Sequence, residues 1–162
     1  MKGNFSVSLD MVLVHEGGWS DNVLDPGGAT MKGVTIGVFR EFFGLDKTKE
    51  DLRNITLSEL SKVYKQGYWD KCGCDELPNG IDYMVFDAAV NSGSRRSMKW
   101  LQKSVGSTPD GIIGPNTLRA VNNTLSEKVI YKCCYERINF LTGLDIWDTF
   151  GLGWSKRVFN VY

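Results

Sequence analysis

The chain is poor in the groups that several hydrolytic chemistries require. His15 is its one histidine in 162 residues, and a zinc amidase with a single imidazole to offer the metal is disfavoured. There is no Gly-x-Ser-x-Gly elbow, and a serine or cysteine nucleophile would have His15 as its sole base. Charge of one sign is also missing: Lys+Arg and Asp+Glu stand at 19 each, with no basic or acidic block to grip a nucleic acid. No stretch approaches the roughly 18 consecutive apolar residues that span a bilayer. Met1 to Ser6 holds a lysine, but Ser8, Asp10, His15 and Glu16 break the run that follows, so neither a signal peptide nor a membrane anchor is expected.

Cysteine is sparse and oddly placed. Cys72-Gly73-Cys74 and Cys133-Cys134 match neither the usual zinc-knuckle spacing nor a disulfide framework. Buried thiols are the expected state. Adjacent residues on a helix point about 100° apart, which makes joint metal ligation by Cys133 and Cys134 awkward. No metal and no organic cofactor are expected.

With 42% hydrophobic and 23% charged residues, residues 1–162 can form a single compact unit around one core. Phe5, Leu9, Val12, Leu13 and Glu16 recur at helical spacing, and Gly17-Gly18 stops that helix. Residues 19–32 are rich in Gly, Asp, Asn and Ser, and Asp25-Pro26-Gly27-Gly28 fits a tight turn, so a loop or short hairpin is expected there. Thr35 caps a helix to about Phe43, ended by Gly44. Thr56-Leu57-Ser58-Glu59 is a capping box that opens a helix carrying Leu60, Val63 and Tyr64. After the break at Leu77-Pro78-Asn79-Gly80, the run Ile81, Met84, Val85, Ala88 and Ala89 reads as the most buried helix. Further helices are expected from Ser97 to Val105, from Pro115, from a Thr124 cap to about Leu141, and from Trp147 to Val158. The fold class is therefore mainly α: a helical bundle with a small β-hairpin or loop lobe.

Glu16 is the conspicuous local inconsistency, a carboxylate that continues an apolar helical stripe. The negative end of the helix dipole and partial burial both favour its protonated form, which is the form a general acid needs. Two readings are open for Glu16 taken alone. It is either such an acid or a structural carboxylate, exposed or paired with a base such as Arg137. The loop that follows, with Asp21, Asp25 and Thr30, favours the acid, because glycoside hydrolysis requires a second carboxylate facing the first across a cleft.

His15-Glu16-Gly17-Gly18-Trp19, Asp25-Pro26-Gly27-Gly28-Ala29-Thr30 and Gly33-Val34-Thr35 together resemble the opening signature of glycoside hydrolase family 108, which contains N-acetylmuramidases of phages and bacteria. The resemblance continues through Tyr68-Trp69, Leu77-Pro78, residues 86–93 from Phe86 to Gly93, and Trp100-Leu101-Gln102. Asp110 to Leu118 resembles the peptidoglycan-binding half usual in that family, and Gly153-Trp154 with Arg157 its closing motif. Several ordered motifs at family-like intervals are far more specific than a lone Glu-Gly-Gly.

The resemblance implies an α+β, lysozyme-like fold with its small lobe beside an active-site cleft. Residues 5–93 would form the catalytic part and residues 94–162 the peptidoglycan-binding part. It implies Glu16 as catalytic acid, with Asp25 and Thr30 placed like the water-positioning pair of phage lysozymes. The implied partner is peptidoglycan, cut at the β-1,4 bond between N-acetylmuramic acid and N-acetylglucosamine. The implied setting is a monomeric endolysin made in a host cytoplasm and released to the periplasm through a holin lesion.

Trp19 and Trp69 are the better candidates among the tryptophans for stacking on a sugar ring. Asp87 and Asn91, one helical turn apart, are either substrate-binding groups of the same cleft or structural ties from the central helix. Two other functions remain as rivals: a lytic transglycosylase, which uses a similar glutamate, and a non-catalytic peptidoglycan-binding protein.

Overall fold

A computed structural model describes residues 3–21 and 28–162. The chain divides into two compact units, one formed by Leu9–Gly67 and the other by Met1–Ser8 with Tyr68–Tyr162.

The first unit begins within α1 (Phe5–Leu13) and continues through the strands β1 (Thr30–Met31) and β2 (Val34–Thr35) to α2 (Ile36–Phe43), α3 (Lys49–Arg53) and α4 (Leu57–Tyr64). The strands pair antiparallel, Thr30 opposite Thr35 and Met31 opposite Val34. Lys32 (φ 46°) and Gly33 (φ 75°) make the two-residue turn between them. Positive φ at both central positions is the hairpin geometry whose twist matches that of the strands. Thr35 accepts from the Val38 amide and Gly44 closes α2, as the sequence predicts. The capping box of α4 is present, with Thr56 and Glu59 satisfying each other's backbone amides. A second box, Thr48 with Asp51, opens the short α3, an element the apolar periodicity had not announced. The helix expected to run to Glu16 ends at Leu13. A tight turn follows, in which the His15 and Glu16 amides bond back to the Val12 and Leu13 carbonyls.

In the second unit, a π-helical stretch Lys65–Trp69, begun in the first unit, and a 3-10 turn Cys74–Glu76 lead to α5 (Ile81–Ser92) and α6 (Ser94–Ser104), then α7 (Pro115–Asn122), α8 (Ser126–Thr142) and α9 (Trp147–Val161). α5 is the most buried helix, with Ile81, Met84, Val85, Phe86, Ala88 and Ala89 all in the core, and it packs against α6, α8 and α9. Pro115 stands at the start of α7 as expected. Thr124 does not cap α8: its hydroxyl donates back to the Ala120 carbonyl, and α8 starts at Ser126 without a side-chain cap.

All four cysteines are free and buried, and no group of three or more His, Cys, Asp or Glu among the described residues is placed to hold a metal ion. Burial pushes the Cys133 thiol up to about 12 and the Cys134 thiol to about 11. The free thiols of Cys72 and Cys74 are hydrogen-bonded to each other. That bond holds the Cys72 thiol below its ordinary value and the Cys74 thiol above it.

Candidate active site

Glu16 lies in the first unit, half-buried, in the turn that follows α1. Its carboxyl rests against the hairpin turn: a Cβ built on Gly33 would come within 2.7 Å of Glu16 Oε2. Only a glycine lets the carboxyl approach the backbone this closely, and the positive φ of the turn asks for the same residue. Thr30 belongs to this hairpin. Its amide and carbonyl pair with Ser20 (2.8 and 2.9 Å), and its hydroxyl donates to the Gly28 carbonyl at 3.4 Å. The fold thus brings Thr30 and the wall behind Glu16 into one small element. Asp25 and the turn expected at 25–28 fall largely outside the described residues.

Trp19 is half-buried, with the Arg53 guanidinium 5.7 Å from its ring centroid. Two residues on, Asp21 pairs with Lys49 at 2.8 Å. Lys49 and Arg53 are one turn apart on α3, so this five-residue helix holds the loop at two alternate residues. An exposed ion pair adds only about 0–1 kcal/mol, and a cation over an exposed ring about 0.5–1 kcal/mol. Their main effect is therefore to fix where Trp19 points. Sequence reasoning passed over both cations, although Thr48-x-x-Asp51 and the Lys49/Arg53 spacing were legible.

Trp69 corrects the sequence reading. It is fully buried, edge-on to Phe5 and Phe86 at centroid distances of 5.5 and 5.4 Å, and its indole N–H donates to Asp75 at 2.9 Å. Such a ring has no face left for a sugar. Its tryptophan-sized burial and edge contacts instead make it a core anchor, each aromatic pair adding about 0.5–1.5 kcal/mol beyond the buried area.

Asp87 is likewise internal, not substrate-facing. Its two oxygens accept from Arg137 Nη1 at 2.6 Å and Arg157 Nε at 2.8 Å, and Asn91 accepts from Arg137 Nη2 at 3.0 Å. Of the two readings open for Asp87 and Asn91, the structural one describes these contacts, and the ties run to arginines of α8 and α9. Arg137, weighed as a partner for Glu16, is committed to this cluster.

In the same unit, the loop between α6 and α7 is built on Gln102, which is buried. Its amide donates to Asp110 Oδ1 (2.7 Å) and the Ile112 carbonyl (3.0 Å), and its oxygen accepts from the Gly111 amide (2.8 Å). The Gln102 bond holds the Asp110 carboxyl below its ordinary value, helped by the Ile112 amide. The loop walls a polar cavity of about 500 Å³ with Ser107, Thr108 and Asn116 on its lining.

A carboxyl in the turn after a helix, set against a short hairpin in a mainly α chain whose only sheet among the described residues is two-stranded, fits a lysozyme-like fold. Residues 9–93 match the family model described as glycosyl hydrolase 108, and residues 96–158 match one described as "Predicted Peptidoglycan domain". The chain belongs to glycosyl hydrolase family 108. It is also similar to a solved structure described as "Structure of Brucella abortus SagA", with 38% identity and a TM-score of 0.88 over 99% of this chain and 92% of that one. No curated protein sequence matches it. The protein is accordingly a glycoside hydrolase that acts on peptidoglycan.

Proposed function

We propose that the protein is a phage-type endolysin, an N-acetylmuramidase that hydrolyses the β-1,4 bond between N-acetylmuramic acid and N-acetylglucosamine. The observation that carries this reading is the half-buried Glu16 carboxyl held against Gly33 of the hairpin that bears Thr30.

In this reading Glu16 gives its proton to the glycosidic oxygen as the bond from the muramic C1 breaks, so that N-acetylglucosamine leaves with a free hydroxyl. Water adds to C1, and Asp25 with Thr30 orients it and receives its proton. Trp19, backed by Arg53, offers its other face to a sugar ring. Residues 5–93 would do the cutting while residues 94–162 hold the glycan, in keeping with the peptidoglycan domain matched there.

No helix among the described residues is long and apolar enough to cross a membrane. In this reading the enzyme is monomeric, is made in a host cytoplasm and reaches periplasmic peptidoglycan through a holin lesion.

Mass spectrometry of digested sacculi tests the reaction. Reducing muramic ends are expected. Anhydro-muramoyl ends would mean that the muramoyl 6-hydroxyl, not water, attacks, and that the protein is a lytic transglycosylase. Intact sacculi with bound protein would mean a wall-binding function alone.

A further inference from the structure

We propose that Tyr64 is a positioning residue for the catalytic acid: its hydroxyl pins the Lys32-Gly33 turn so that the bare α-carbon of Gly33 forms the wall holding the Glu16 carboxyl. This rests on the reading of Glu16 as proton donor.

Tyr64 ends α4 and is 1% exposed, yet it carries a polar group that burial would penalise without a partner. The partner is the turn itself: the phenol donates to the Lys32 carbonyl at 2.8 Å, across 32 residues of sequence. A Cβ on Gly33 would lie 2.5 Å from Tyr64 Oη and 2.7 Å from Glu16 Oε2, closer than real Cβ atoms come to anything. The two oxygens therefore flank one point in space and are near neighbours. The helix that delivers Tyr64 is fixed at its other end by the Thr56–Glu59 capping box.

A carboxyl on a flexible side chain becomes an efficient acid only when held in reacting geometry, and a displacement of about 1 Å can cost on the order of 10²-fold in rate. Tyr64 and the Lys32-Gly33 turn form two sides of such a holder. The chemistry is Glu16's, and Tyr64 acts through it.

Steady-state kinetics on soluble glycan fragments of peptidoglycan, with thermal midpoints measured alongside, test the proposal. Tyr64→Phe keeps the ring and removes only the hydroxyl. A fall in kcat of about tenfold or more with KM unchanged is expected. Gly33→Ala is expected to lose more, because its methyl displaces either the phenol or the carboxyl. Thr56→Ala is the control: it weakens the same helix far from the carboxyl, and should lower the midpoint while leaving kcat in place.

Tyr64→Phe with wild-type kcat, beside an inactive Glu16→Gln, would overturn the positioning role and leave the proposed function intact. Equal losses of kcat in Tyr64→Phe and Thr56→Ala, tracking their midpoints, would reduce Tyr64 to a structural residue. An active Glu16→Gln would remove the underlying reading and this one with it.

Discussion

The proton-donor role proposed for Glu16 rests on a carboxyl that lies in the turn after α1, against Gly33 of the hairpin. What the sequence did not show is how that carboxyl is held. Gly33 and Tyr64 look like an ordinary turn glycine and an ordinary core aromatic until their common neighbour is seen. The tryptophans illustrate the same limit, since period and composition do not say which ring keeps a free face. Trp19→Ala should raise KM for glycan fragments several-fold with a small effect on kcat, as expected for loss of a stacking surface. Trp69→Ala should instead cost about 3–5 kcal/mol of stability, read by denaturant unfolding, because the ring is fully buried against Phe5 and Phe86. Buried thiols were anticipated correctly. With Cys133 and Cys134 pushed to about 12 and 11, both are protonated at neutral pH. A thiol reagent should titrate the native protein slowly and should find all four cysteines only in denaturant.

At the scale of elements, the α-helices of eight residues or more were predicted and the five-residue α3 was not. Thr35, Thr56 and Pro115 act where the sequence placed them. α3 was missed because five residues are too few to show periodicity, although its capping box is as clear as that of α4. Thr124 was misread because a threonine just past a helix can bond back into it as readily as cap the next. Removing the box hydroxyl in Thr56→Ala should destabilise the fold by about 1 kcal/mol in urea unfolding. Backbone and side-chain bonds from Thr48 and Thr56 hold the Asp51 and Glu59 carboxyls below their ordinary values. Groups depressed in the folded state stabilise it above their unfolded pKa, so this contribution should fade as pH falls through the acidic carboxylate range. A tie of a different kind joins α5, α8 and α9, where buried Asp87 pairs with both Arg137 and Arg157. Asp87→Asn removes the carboxylate that Arg137 and Arg157 share and should cost about 3–5 kcal/mol. The polar pair Asp87 and Asn91 on an apolar helix signalled that partners exist, but not that the partners lie 46 and more residues away.

For the molecule as a whole, the mainly α class with a small hairpin was readable from caps, turns and periodicity, since each is a local property. The two-unit division was not, because it depends on which distant segments pack together: Met1–Ser8 groups with Tyr68–Tyr162 and not with the residues that follow it. The proposed function turns on one proton, that of Glu16. The most direct measurement is the turnover of soluble peptidoglycan fragments by Glu16→Gln, with its thermal midpoint and sacculus binding followed in parallel. The account predicts a fall in kcat of about 10²–10⁴-fold, the typical contribution of general acid catalysis, with folding and binding retained. Turnover at the wild-type rate by a folded Glu16→Gln protein would contradict it.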